Sequence, residues 1–326
     1  MISKLKKLSI LLLPAIMQSQ MVSAEVQGND FIQVFEQLSG KHLGVRKGHA
    51  KGVCALGDFI PSQEAMPYSS SRLFSGQKIK ANIRFSMAGG NPFADETARS
   101  PRGVGIQFSL PDGSIHNIAG LTTPVFPGKD PQTFLGLLKT LVPNEQGKVD
   151  FAKVSQYRQD HPSTQAQFNW LRTHNPPSSY SRAQYFGIHA FYFVDEAGHK
   201  TKFKWRLVPV AGELPLTSKQ MEQLPPTFLA DNLKQELITD SVQFELQAII
   251  GHDDDVTDDP SLFWPKDRLI ISLGLLTINQ SGDSSCDEIN YDPNVLSKGV
   301  EPSDDPVLKL RSTAYAISFG KRLSGN

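Results

Sequence analysis

Apolar and polar positions follow two periods along the chain. Over 79–87, apolar Ile79, Ala81, Ile83, Phe85 and Met87 alternate with Lys80, Asn82, Arg84 and Ser86, the period of a strand with one buried face. A strand is also expected around His49. Segments 103–110 and 114–119 flank Pro111-Asp112-Gly113, which predicts a hairpin. Further strands are expected at 187–195 and 200–209, joined by Glu196-Ala197-Gly198, and at 241–250 and 269–278. Helical spacing marks 30–38 through Phe31, Val34, Phe35 and Leu38. It recurs in a helix opened by Asp130-Pro131 and carried by Phe134, Leu137, Leu138 and Leu141, then across 151–174 and 227–238. A last helix follows Ser303-Asp304-Asp305-Pro306, with Asp305 suited to the N-cap and Pro306 to the first turn. With no internal repeat, the pattern predicts an α+β fold: an antiparallel β-barrel with helices in its connections and at its end.

Charge narrows the class. The 326 residues carry 33 basic and 33 acidic side chains, which argues against a nucleic-acid footprint. At the N-terminus, Lys4, Lys6 and Lys7 precede an apolar run from Leu8 to Leu13, and Val22-Ser23-Ala24 offers a small-residue cleavage site. Residues 1–24 are therefore expected to be a secretory signal and 25–326 a single domain, exported in a bacterium to the periplasm. The apolar run is short and broken by Pro14, so a retained membrane anchor is not expected. The two cysteines, Cys54 and Cys286, would then meet an oxidising compartment. Sequence cannot test their geometry, and two buried thiols are preferred here over a bridge. His252-Asp253-Asp254-Asp255 is read as a solvated acidic loop, since no partner cluster with ligand spacing follows it.

Chemistry concentrates in three distant stretches. Arg46-Lys47-Gly48-His49-Ala50-Lys51-Gly52 sets a histidine among glycines; Arg84 and Ser86 share one face of a strand; Arg311 and Tyr315 share one face of the last helix, to which Arg322 returns. Taken singly, these are an ordinary surface histidine, solvated charges and a core tyrosine. Together, and in this order, they resemble the catalases, whose distal strip reads R-x-x-H-A-K-G, followed by V-R-F-S, and whose proximal helix reads R-x-x-x-Y. Trp264-Pro265-Lys266-Asp267 and Tyr291-Asp292-Pro293 also look like landmarks of that family. The resemblance implies a haem cofactor, of the b type. Tyr315 would be the iron ligand with Arg311 beside it, supported by Asp305 and by His189 in Gly187-Ile188-His189-Ala190-Phe191. It implies His49 as acid–base catalyst bonded to Ser86, Arg46, Arg84 and Arg322 as partners of the haem propionates, and Phe134 stacked on the haem.

Two departures bear on activity. Where catalases read G-N-N-T-P this chain reads Gly120-Leu121-Thr122-Thr123-Pro124, so the amide that helps bind peroxide is replaced by Leu121. The residue before the histidine, usually valine, is Gly48. The chain ends at Asn326, shortly after Arg322, and so resembles the family's minimal core, as in small exported catalase-related peroxidases. The expected function is reduction of hydrogen peroxide or organic peroxides by a small organic electron donor. Open alternatives are a true catalase, a haem enzyme rearranging hydroperoxides, and a haem-binding protein without turnover. A monomer and a dimer are both open.

Overall fold

Antiparallel pairing runs through the whole sheet and closes on itself. The computed structural model describes residues 25–325, so the expected signal lies outside the described residues. In chain order the elements are α1 (Gly28–Ser39), β1 (Gly52–Pro61), β2 (Ile79–Met87), β3 (Arg102–Ser109), β4 (Ile115–Leu121), α2 (Pro131–Thr140), α3 (Phe151–Asp160), α4 (Gln165–Thr173), β5 (Tyr185–Phe186), β6 (Phe191–Val194), β7 (Lys200–Pro209), α5 (Ser218–Gln223), α6 (Leu229–Thr239), β8 (Val242–Ile250), β9 (Ile270–Ser281), β10 (Val300–Pro302) and α7 (Pro306–Leu323). Strands β1, β2, β3, β4, β5, β7, β8 and β9 close into a barrel through the β7–β8 and β1–β9 pairings, with β6 and β10 added alongside β7.

Alternation decides which side chains fill the barrel. Ile83, Phe85 and Phe244 point inward with Tyr185, and Phe85 stacks on Tyr180 at 5.4 Å. Arg84 and Ser86 have the opposite parity and lie on the outer face. Helices α1, α2 and α7 pack on one another, and α7 meets the outer face where Tyr315 lies against the cluster holding Cys54 of β1. Gly28 allows the closest approach: a Cβ there would lie 2.7 Å from the backbone nitrogen of Ala314 in α7. A satellite core of Phe31, Val34, Leu135 and Leu138 joins α1 to α2, with Leu310 of α7 against it.

Several expectations shift. The first strand begins at Gly52, leaving His49 in a loop, and 187–190 is irregular, so His189 precedes β6. Elements α5 and β10 have no counterpart in the sequence reading. The acidic loop is only partly solvated, because Asp255 is buried against Arg268, with Arg268 Nε donating to its Oδ2 at 2.7 Å. The expectation of two buried thiols is overturned: Cys54 and Cys286 form a disulfide with their Cα atoms 5.4 Å apart. The chain between β9 and β10 folds back onto β1, a proximity that a sequence separation of 232 conceals. No helix among the described residues is long and apolar enough to cross a membrane.

Candidate active site

The distal loop is built around a strained histidine. His49 has φ 55°, the one non-glycine residue with positive φ among the described residues. Arg84 holds that conformation from below, donating from Nη1 to the His49 carbonyl at 2.8 Å and from Nη2 to that of Ala50 at 3.0 Å. Gly52 makes this possible, since a Cβ there would sit 2.7 Å from the Arg84 guanidinium carbon. The ring lies over Gly103, where a Cβ would come within 2.6 Å of it, and His49 Nδ1 is 2.9 Å from Ser86 Oγ. With the Ser86 hydroxyl directed at the Gly103 carbonyl (3.5 Å), its oxygen accepts the Nδ1 hydrogen and Nε2 is left with the free lone pair. Burial, then Arg84, Arg311 and Arg46, push His49 down to about 3, so the ring is neutral. Register adds a neighbour: Ser86 pairs with Gly103 and Gly103 with Leu121, and directly opposed residues share a face. Leu121 therefore stands in the same row as Ser86, beside the position over which the imidazole lies.

A second cluster gathers guanidinium groups. Arg46 donates from Nη2 to the carbonyls of Cys286 (3.0 Å) and Ile289 (2.8 Å). Burial, with Arg84 and Arg322 nearby, lowers it to about 9. Burial likewise lowers Arg84 and Arg322, whose charges Asp287 partly offsets. Arg322 Nε and Nη2 are buried without a hydrogen-bond partner, as is the Tyr291 hydroxyl. Tyr291 lies under Arg46, 5.8 Å from centroid to guanidinium carbon, in a recess left open by Gly105. Mutually repelling cations with orphaned donors fit a ligand bearing carboxylates, which guanidinium binds in a bidentate fork.

The proximal side is a linear relay. Arg311 donates from Nη2 to Tyr315 Oη at 2.6 Å and from Nη1 to His189 Nε2 at 3.1 Å. His189 Nδ1 then faces Asp305 Oδ2 at 2.6 Å. Because Nε2 accepts from a guanidinium, Nδ1 carries the hydrogen and donates it to Asp305. Burial pushes His189 down, keeping it neutral. The other Asp305 oxygen, Oδ1, accepts from the amides of Val307 and Leu308, so one buried carboxylate both caps α7 and ends the relay. The relay thus ends on the Tyr315 oxygen, which accepts a charge-assisted hydrogen bond from the Arg311 guanidinium.

The structure thus joins His49 with Ser86, Arg84 with the distal backbone, Arg46 and Arg322 in one electrostatic cluster, and Tyr315, Arg311, His189 and Asp305 in one chain. Phe134 is joined least directly: it stacks on Phe31 at 5.5 Å and meets Phe126 at 4.5 Å, and Phe126 in turn lies 6.5 Å from His189. Sequence reasoning gave Tyr291 no role and missed a clamp around Glu36 of α1. Glu36 pairs with Lys47 (3.4 Å) and Lys321 (3.0 Å), and Ser318 Oγ accepts from the Lys47 amide, binding the distal loop to α7. The glycines at 103 and 105, alternating on one strand face, were the available signal for the ring pockets.

A family model described as Catalase matches residues 18–326. The chain belongs to the catalase family. Among its relatives, the catalase-related peroxidase of Synechococcus elongatus is 40% identical over 304 residues, covering 92% of this chain and 90% of the relative. The catalase-related peroxidase of Mycolicibacterium paratuberculosis is 32% identical, covering 89% and 93%. The catalase of Schizosaccharomyces pombe is 27% identical, and there this catalase-family chain spans only 62% of the relative. A fungal catalase structure aligns with TM-score 0.80 over 87% of this chain and 60% of that one, at 21% identity, which shows the shared fold.

Proposed function

We propose that this protein is a haem peroxidase, reducing hydrogen peroxide or an organic peroxide with electrons from a small organic donor. The observation that carries the reading is the Tyr315–Arg311–His189–Asp305 relay, buried at His189 and Asp305, with Arg311 near enough to His49 to act on its charge. The residues present fit a haem: Tyr315 would ligate the iron, and Arg46, Arg84 and Arg322, with its orphaned donors, would hold the propionates. A b-type haem suits a site in which these contacts are non-covalent. When bound, the haem supplies the redox chemistry, delivering two electrons to the peroxide O–O bond and recovering two from the donor. His49 Nε2 removes the proton from the bound peroxide oxygen and returns it to the departing oxygen, which leaves as water or an alcohol. Ser86 keeps the tautomer that makes this possible, and Arg84 holds the loop that aims the ring. The relay's buried Asp305, through neutral His189, orients Arg311 toward Tyr315.

Peroxidase rather than catalase activity is favoured by Leu121. Dismutation needs a second hydrogen peroxide bound and oriented, and the row beside His49 offers a leucine side chain in place of a donor. The names of the two most similar relatives cited agree with this reading. We also propose that residues 1–24 direct export to the periplasm and are removed. The test is a pair of assays on the haem-loaded protein: oxidation of a phenolic dye and oxygen release, both from peroxide. Dye turnover with weak oxygen release is expected; oxygen release at rates typical of full catalases would refute it. Tyr315→Phe should lose haem binding, read from the absorption spectrum, because phenylalanine offers iron no ligand.

A further inference from the structure

We propose that the Cys54–Cys286 disulfide positions the arginine cluster, so that the chain holds an anionic haem tightly when the bridge is closed and weakly when it is open. The inference rests on the haem reading above. Cys54 lies on β1 directly opposite Arg84 of β2, and so on the outer face that carries the site. Its partner belongs to the irregular stretch 282–292, which supplies both carbonyl acceptors of Arg46, the Asp287 carboxylate near Arg84 and Arg322, and the Tyr291 ring under Arg46.

The ties of that stretch to the barrel show what the bridge adds. Its start is fixed by the Gly282 amide on the Cys54 carbonyl, and its end by Asn117 Nδ2 on the carbonyls of Asn290 and Asp292. Hydrogen bonds around Ser284, Ser285, Cys286 and Ile289 are mostly internal to the stretch. At its middle, where Arg46 needs its acceptors, the stretch meets the barrel through the disulfide, the Cys286 amide contact to Cys54 Sγ at 3.2 Å, and Asp287, whose Oδ1 lies 3.8 Å from Cys54 Sγ and whose charge acts on Arg84. Without the covalent link, Arg46 would have to hold in place the carbonyls that hold it. The bridge packs with Tyr291, and Tyr315 lies against that cluster, so both faces of the site touch it. Residues Cys54, Cys286 and Asp287 form a group of metal-ligating type, but with the two sulfurs joined they offer no thiolate pair.

Opening the bridge takes two electrons and two protons from a dithiol, which closes to its own disulfide while the two sulfurs become thiols. Cys286 is 0% exposed and Cys54 4%, so a thiolate reaches the folded bridge slowly. The state of the bridge is therefore set largely while the chain folds, and a chain folded in a reducing compartment would load haem poorly.

The apoprotein can be titrated with hemin, following the Soret band and tryptophan quenching, for wild type and for Cys54→Ser with Cys286→Ser. The unbridged protein should bind hemin about 10-fold more weakly while keeping a native near-ultraviolet dichroism at 25 °C. Arg46→Ala should weaken hemin binding in the bridged protein and add little in the unbridged one, because both changes remove the same interaction. Equal hemin affinity with and without the bridge, or fully additive effects of Arg46→Ala, would overturn the proposal. Should the unbridged protein fail to fold, the wild type still decides by linkage. Bound hemin must then shift the dithiol-to-disulfide ratio that opens the bridge by the same 10-fold, about 30 mV, read by mass spectrometry of trapped thiols. No shift would overturn it. If bridged wild type does not bind hemin at all, the haem reading itself fails.

Discussion

His49 combines a left-handed backbone held by Arg84, a ring kept neutral by burial and then by the surrounding cations, and a tautomer fixed by Ser86. His49→Ala should therefore keep haem yet react with peroxide about 10²–10⁴-fold more slowly, as stopped-flow absorbance would show. The wild-type rate should be flat from about pH 5 to 8, since the ring protonates only near 3. The same depression has a stability consequence. Between 6.5 and about 3 the unfolded chain binds a proton at this position that the folded chain refuses, so its effect on stability is absent above 6.5 and grows unfavourable as pH falls. His116, lowered to about 4 by burial, and buried His189 act in the same direction. Acid melts should show stability declining from about pH 6.5 downward. Leu121 carries the other prediction at this scale. Leu121→Asn should raise oxygen release from peroxide, because a single well-placed donor in a dry site contributes on the order of 10²–10³ in rate.

At the scale of elements, α7 joins stability to function through its N-cap, Asp305. Asp305 accepts two α7 amides on one oxygen and His189 on the other, and it is wholly buried. Asparagine can still cap α7 with its single carbonyl oxygen, but its NH2 group then meets the His189 Nδ1 hydrogen, so Asp305→Asn should keep the cap and lose the His189 bond. Asp305→Ala loses the cap, about 1 kcal/mol, and strands the His189 hydrogen, about 1–3 kcal/mol more. Thermal melts followed by circular dichroism should rank wild type above Asn and Asn above Ala; equal loss in both variants would show that the cap hydrogen bonds contribute nothing to the helix start. The same helix is fastened at its other end by Lys321 to Glu36 of α1, which also holds Lys47 of the distal loop. One carboxylate thus ties the loop bearing His49 to the helix bearing Tyr315.

For the whole molecule, the bridge closes the longest covalent loop in the described residues, with a separation of 232. Removing it should cost about 2–5 kcal/mol of stability in denaturant unfolding, largely by freeing the unfolded chain. Closure of the barrel, by contrast, depends on ladders that few single residues control. The sequence alone determined the parity of β2, which places Arg84 and Ser86 on one face, the hairpin between β3 and β4, and the cap and spacing of α7. These follow from interactions between residues a few positions apart, which a linear reading contains. Resemblance to catalases extended that reading to the roles of His49, Tyr315 and their partners. Only the tertiary structure decided that the cysteines join, that Leu121 stands in the row of Ser86 and Gly103, that Glu36 clamps loop to helix, and that His189 reaches Asp305 and Arg311 at once. Those contacts link residues 116 to 285 positions apart for His189–Asp305, Cys54–Cys286 and Glu36–Lys321. Pairings at such distances are set by how the barrel closes and what packs on its outer face, not by any local preference of the residues themselves.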